Sequence, residues 1–345
     1  MINTKLILVE GISGSGKSST AHYLSRQLDK NNIKNRWFHE EEKEHPLFYD
    51  RKKPMEPGID RTEYFIENYP QQWANFAKQI EEYDGVCIIE SFLTQFSLIP
   101  LIMKSYSEEK IQNFIKQLYL QIEPLNPVIV FNYYNDVKFG LDLNLSRRGK
   151  EWENWYLNHV ASTPFAKENN LDGYNAALSV MQKLSDNSKE FMNTIPDQVI
   201  DIDISSQYWE EFHQRLSDHL SYQRYSENHP VEDYQKYCGI FKHIPSLPSS
   251  EEMEEKGIKS EDIPAEILNT VHICNNRLCL DAFWPNLKLI ALDDNLFSIE
   301  AFHFLVKFNL DDEKVLSFDF IENNPKPFLS SEEHTEEECY RFNKV

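Results

Sequence analysis

The run Lys5-Leu6-Ile7-Leu8-Val9-Glu10-Gly11-Ile12-Ser13-Gly14-Ser15-Gly16-Lys17-Ser18-Ser19-Thr20 concentrates residue types suited to holding phosphate. An apolar stretch leads into a loop reading G-x-x-x-x-G-K-S, and an amphipathic pattern follows directly. Gly11, Gly14 and Gly16 leave room for backbone N–H groups to close around phosphate oxygens. The helix after them presents free N-terminal amides and a positive dipole end to the same anion. Lys17 can reach β- and γ-phosphates, and the Ser18 hydroxyl can sit on Mg²⁺. A turn that binds nothing needs neither the lysine nor the flanking strand. The spacing therefore predicts a nucleoside triphosphate site formed by Gly11, Ser13, Gly14, Ser15, Gly16, Lys17, Ser18 and Ser19, with Mg²⁺ at Ser18.

Phosphoryl transfer also needs a metal-holding carboxylate, cations for the transferring group and a residue that orients the acceptor. Glu90 follows the apolar run Val86-Cys87-Ile88-Ile89 and is expected at a strand's carboxyl end, where it can hold Mg²⁺ with Ser18. Glu40, Glu41 and Glu42 end a second strand on the same edge. One of them can accept a proton from the attacking hydroxyl, and Glu40 lies nearest the strand. Arg147 and Arg148 suit charge building on phosphate oxygens. Tyr64, Phe65, Tyr69, Trp73 and Phe76 recur at helical spacing, which by default is a core stripe. The alternative is a substrate wall of Trp73 and Phe76, with Gln72 or Gln79 reading a base edge. His39 and His45 match no metal-ligand spacing.

These residues need a scaffold that brings strand ends together. Residues 1–222 alternate strand and helix patterns: strands near 5–9, 33–39, 86–89, 127–131 and 199–204, and helices near 18–30, 63–83, 92–104, 107–122, 165–192 and 207–221. Pro70 is expected to interrupt the second helix, and Arg147-Arg148-Gly149 to lie in a polar segment. Such alternation implies a parallel sheet with helices on both faces, its ligands at the carboxyl ends of the strands. After about residue 222 the pattern changes. Residues 244–264 read as an extended connection, and six short runs between 267 and 321, separated by turn residues, read as an antiparallel β unit. Residues 330–345 read as an acidic, mobile tail. The expected architecture is α/β, with domains 1–222 and 223–345, the second a smaller β-rich accessory domain.

Composition narrows the function classes. A net charge of −21 disfavours nucleic acid and anionic membranes as partners, and residues 223–345 carry −12 of it. No stretch approaches the roughly 18 apolar residues of a membrane span. The first strand begins within five residues, leaving no space for a signal peptide. The five cysteines are scattered without a C-x-x-C, so neither a zinc site nor a disulfide framework is expected. A cytoplasmic protein acting on a small molecule is the expectation, with a homodimer left open.

On these residues, positions 1–222 resemble the thymidylate kinase and deoxynucleoside kinase superfamily. Glu10 to Ser19 is similar to that family's EG-x-x-G-x-GK[ST] loop, and Ile88-Ile89-Glu90-Ser91 to its strand ending in Glu/Asp-Arg. Leu145 to Lys150 resembles the arginine-bearing lid over ATP, and Asn68 to Trp73 the stretch around a substrate-lining Trp; Gln79 falls one residue from the base-reading glutamine. Ser91 stands in place of the expected arginine, and Asn132 where the fourth strand commonly continues into Leu-Asp. The resemblance implies an ATP-dependent kinase of nucleosides or nucleotides. A kinase of a non-nucleoside hydroxyl and a non-catalytic nucleotide sensor are the alternatives. A switch GTPase is disfavoured, because no Asn-Lys-x-Asp motif is present. Residues 223–345 lie outside the resemblance and are loosely similar to small lipocalin-like β domains.

Overall fold

In the computed structural model, residues 2–42, 45–49, 60–227, 233–245, 264–282, 284–322 and 339–345 are described. They fall into two compact units, one ending at Tyr225 and the other starting at Ser226. The first begins β1 (Leu6–Gly11), α1 (Lys17–Lys30), β2 (Asn35–Phe38), α2 (Arg61–Glu82), β3 (Val86–Glu90), a π-helical turn (Phe92–Phe96), α3 (Ser97–Met103) and α4 (Glu108–Ile122). It continues β4 (Val128–Tyr133), α5 (Val137–Arg148), α6 (Lys150–Ala161), α7 (Pro164–Glu168), α8 (Gly173–Met192), β5 (Val199–Asp203) and α9 (Trp209–Leu220).

The five strands form a parallel sheet in the order β2-β3-β1-β4-β5. β1 and β3 are buried along their whole length, as continuous apolar strands covered on both faces must be. Register then fixes the working edge. Val9 lies opposite Glu90, and Gly11 opposite Asn132, so the carboxyl ends of β1, β3 and β4 arrive together.

Three local expectations change. α2 runs unbroken through Pro70. Phe65 and Tyr69 before the proline and Trp73 and Phe76 after it are all buried in one core, and this packing outweighs the lost backbone bond. The stretch 165–192 is two helices, because Asn170 takes a positive φ and Asp172 caps a new start by accepting from the Asn175 N–H at 2.9 Å. The polar segment around Arg147 and Arg148 is instead the end of α5, separated from α6 by Gly149. Of the irregular connection that Pro46, Pro54, Pro57 and Gly58 mark in the sequence, residues 50–59 lie outside the described residues. No helix among the described residues is long and apolar enough to cross a membrane.

The second unit is an antiparallel closed barrel. Its strands are β6 (Gly239–His243), β7 (Ile267–Cys274), β8 (Arg277–Asp281), β9 (Leu287–Ala291), β10 (Leu296–Ile299), β11 (Phe304–Asp311), β12 (Lys314–Glu322) and β13 (Cys339–Lys344). The order round the barrel is β10-β11-β12-β13-β6-β7-β8-β9. Phe241, Phe297, Phe308, Phe318 and Phe342 fill its core, with Tyr237 packed on Phe297 and Phe308. The expected mobile tail is thus corrected over 339–344. That segment pairs with β12 and β6 and completes the barrel, because Phe342 contributes to the core while Arg341 meets Asp319. Residues 330–338 of that expectation, and 246–263 of the expected connection, lie outside the described residues.

Arg341 donates to both Asp319 oxygens, at 2.7 and 3.0 Å, and holds that carboxyl below the usual Asp range. A depressed folded-state pKa stabilises above the unfolded pKa and stops doing so as pH falls through the folded one. Asp319→Asn is therefore expected to reduce amide protection of β12 and β13 at neutral pH. The difference from wild type should shrink at acidities below the ordinary Asp range of about 3.9. Hydrogen exchange across that pH range measures it, with the parallel sheet as internal control.

Candidate functional site

The glycine-rich loop leaves β1 at Gly11, whose φ of +146° and close neighbour demand glycine. A Cβ there would stand 2.1 Å from the Asn132 carbonyl oxygen. Gly16, at φ +74°, lies against Trp209 of α9, and an added Cβ would be 2.4 Å from the indole. Other bonds brace the loop from β4 and α5. The Asn132 amide donates to the Ser15 carbonyl and to Thr20 Oγ1, both at 3.1 Å. The Tyr134 hydroxyl donates to the Gly14 carbonyl at 3.1 Å, and the Asn144 amide to Ser13 Oγ at 3.2 Å. Asn132 departs from the resembling family's pattern yet supports the loop, a role signalled in the sequence only by a polar residue ending an apolar strand.

Glu10, which precedes the first glycine, is fully buried. Its carboxylate accepts the Leu93 and Thr94 N–H groups at 2.9 and 3.0 Å and the Thr94 hydroxyl at 2.6 Å. These are first-turn amides that have no partner within their own helix. Burial raises the Glu10 carboxyl above its ordinary range, and these bonds oppose the rise. Its side chain therefore joins β1 to the turn after β3.

Lys17 is also buried. Its ammonium donates to the Ile12 carbonyl at 3.1 Å and to Gln95 Oε1 at 2.9 Å. Burial lowers its pKa, while Glu40, Glu90 and Glu10 pull it back up. Glu90 is completely buried, and neither carboxylate oxygen makes a hydrogen bond of good geometry. Burial, reinforced by the like charge of Glu40, pushes its pKa well up; Ser18, Lys17 and Trp37 favour its charged form.

The three consecutive glutamates have different surroundings. Glu40 is partly exposed; burial raises its pKa, but Lys17, the Ser91 hydroxyl, His39 and Arg148 outweigh that and hold it below the usual range. Glu41 is exposed, and burial followed by repulsion from Glu40 raises it. Glu42 is buried in an ion pair with Arg36. The two arginines diverge too. Arg148 stacks 4.5 Å over Trp152, which stacks on Tyr156, and it interacts with both Glu40 and Glu41. Arg147 is exposed and donates to Gln207 Oε1 at 2.9 Å.

Trp73 and Phe76 are enclosed in the core, as the default reading of the stripe expects. Gln79 is half-buried on the same helix. Gln72 donates to the Pro46 and Phe48 carbonyls at 2.9 and 3.0 Å and ties down that loop. His45 stacks on Phe92 at 3.8 Å, and burial, with Arg36 and His39 nearby, keeps it neutral. Sequence reasoning did not find Gln95, Tyr134 or Asn144, and Asn132, noted there only as a departure from the family pattern, braces the loop.

No protein-family model matches the chain, and no curated protein matches it. Among solved structures, the thymidylate kinase of Candida albicans is similar over 65% of this chain and 96% of its own, at 13% identity and a TM-score of 0.37.

Replacing Glu10 by Gln removes the charge and leaves one acceptor oxygen for three buried donors. The expected loss of stability is about 1–3 kcal/mol, read by denaturant unfolding of the full chain.

Proposed function

We propose that this protein is an ATP-dependent kinase that transfers a γ-phosphoryl group to a small-molecule acceptor, with nucleosides and nucleotides as the leading acceptor class. One observation carries the reading: Glu40 after β2, Glu90 at the end of β3 and Arg148 at the end of α5 all act on the single ammonium of Lys17. A phosphate-binding loop alone would require only the lysine.

The residues fit Mg²⁺ and ATP. Gly11 and Gly16 leave the loop backbone uncovered where a side chain would collide with its surroundings. The buried oxygens of Glu90 lie beside Ser18, which is the pairing of hard oxygen donors that Mg²⁺ takes alongside phosphate. Bound MgATP supplies the phosphoryl group and its metal. Lys17 and the loop amides would hold the phosphates, Ser18 and Glu90 the metal, and Arg148 the developing charge. Glu40 would orient the acceptor hydroxyl; among the three glutamates it is the one held charged beside Lys17. Arg147, bonded to Gln207, would follow Arg148 as the outer part of the same lid.

Two features favour the second reading, a non-nucleoside hydroxyl acceptor. Ser91 replaces the arginine expected after Glu90, and the α2 aromatics that would stack on a base are enclosed in the core.

The test is incubation with MgATP and a pooled set of nucleosides, nucleotides and hydroxylated metabolites, read by mass spectrometry for a gain of one phosphoryl group. Lys17→Ala is expected to abolish the gain. Glu40→Gln should lower kcat by roughly 10²- to 10⁴-fold with less effect on ATP binding. Glu90→Gln should lose Mg²⁺-dependent turnover while the fold persists. Tight ATP binding with no product from any pool member would assign the chain to the non-catalytic sensors instead.

A further inference from the structure

The turn after β3 carries a residue that the kinase reading does not use. Ser91 takes a left-handed conformation, φ +71°, unusual for a residue with a side chain. The Phe96 N–H then donates to the Ser91 carbonyl at 2.8 Å, five residues back, so the chain makes a π-helical turn before α3. Such turns are rare and cluster at functional sites, and their extra residue changes which side chains share a face. Glu10 fixes the turn by taking the Leu93 and Thr94 amides, so its position is locked to the strand that ends in the phosphate loop. Gln95 is thereby brought to the Lys17 ammonium, with Oε1 2.9 Å from Nζ.

An ammonium has three donors. Two of those on Lys17 are taken by uncharged carbonyl oxygens, of Ile12 and Gln95. Charged phosphate oxygens attract an ammonium more strongly than neutral carbonyl oxygens do, so they can displace these partners, against a resistance that depends on how firmly each holds. Ile12 holds through its backbone carbonyl, which no substitution removes. Gln95 holds through a half-buried side chain that can be changed without opening the core.

We propose that Gln95 is a positioning residue of the phosphoryl-transfer site, holding Lys17 in competition with the donor's phosphates and so setting the affinity of the loop for its triphosphate. A glutamine suits the task. A carboxylate at the same place would form an ion pair that phosphate must break, and would add a fourth acid to Glu10, Glu40 and Glu90 around one lysine. A residue without an oxygen would leave the Ile12 carbonyl as the remaining hydrogen-bond acceptor of Lys17 among the described residues. The proposal rests on the kinase reading only for the identity of the ligand.

The experiment is calorimetric titration of the full chain with MgATP, without acceptor, for wild type, Gln95→Met and Gln95→Glu. Met keeps the length and removes the acceptor oxygen, so Kd should fall about tenfold. Glu keeps the shape and adds charge, so Kd should rise by about tenfold or more. Opposite shifts are the signature, because a merely structural role would weaken binding in both. Circular dichroism melts establish that both variants fold. Equal affinities, or shifts of the same sign, in folded variants would overturn the proposal and leave the kinase reading standing. No binding of MgATP to wild type would overturn both.

Discussion

Taking the Lys17 ammonium out of water is unfavourable by several kcal/mol unless charge and hydrogen bonds replace its hydration. Much of the first unit can be understood as meeting that demand. Two carbonyl oxygens bond the ammonium directly, and three carboxylates from the ends of two strands and the segment after a third surround it. Three acids around one lysine cannot all ionise at low cost, and they separate. Glu10 is bonded by three donors, Glu40 is held charged, and Glu90 binds its proton more tightly than an ordinary glutamate. Protons on such a cluster belong to the group as a whole, so the assignment that matters is this ordering.

Backbone geometry makes the cluster attainable. The parallel register places Val9 beside Glu90 and Gly11 beside Asn132, so adjacent strands deliver their last residues to one edge. There the loop must pass the Asn132 carbonyl without a side chain, which Gly11 alone allows. Glu10 then fastens that edge to the π-helical turn, joining residues more than eighty positions apart. Moving either partner would shift Gln95 and Lys17 together. Mutual fixation of this kind is what the proposed phosphoryl transfer would require of its reacting groups.

What the sequence made legible follows the range of the interactions. The loop, the strand before it and the helix after it are local, so spacing alone identified them. Glu90 was found for the same reason, since an acid ending a four-residue apolar run sits at a strand end. The differences among Glu40, Glu41 and Glu42 were hidden, because they depend on Arg36, Lys17 and Arg148 across space. Gln95 was hidden by the extra residue of its π-helical turn, which no helical periodicity anticipates. The Trp73 stripe satisfied both a core and a substrate wall in sequence, and its burial in the core depends on packing that spacing does not show. In the barrel, β13 was masked by composition. Its acidic approach outweighed a short alternation whose partners, Asp319 and Phe318, lie some twenty residues earlier.

The ordering of the acids bears on what each can do in the proposed reaction. In a largely dissociative transfer little covalent chemistry falls to the protein, and catalysis rests mainly on positioning and on stabilising charge. Strong basicity is therefore not required of the residue at the acceptor, and Glu40, held charged by Lys17, Ser91, His39 and Arg148, is suited to orienting a hydroxyl. Glu90 is the opposite case. Its burial and the like charge of Glu40 make the charged form costly until a metal cation is close, a property suited to holding a metal and poorly suited to orienting a substrate. Environments that push two carboxylates apart in this way assign their roles, and these two could not exchange them without also exchanging neighbours.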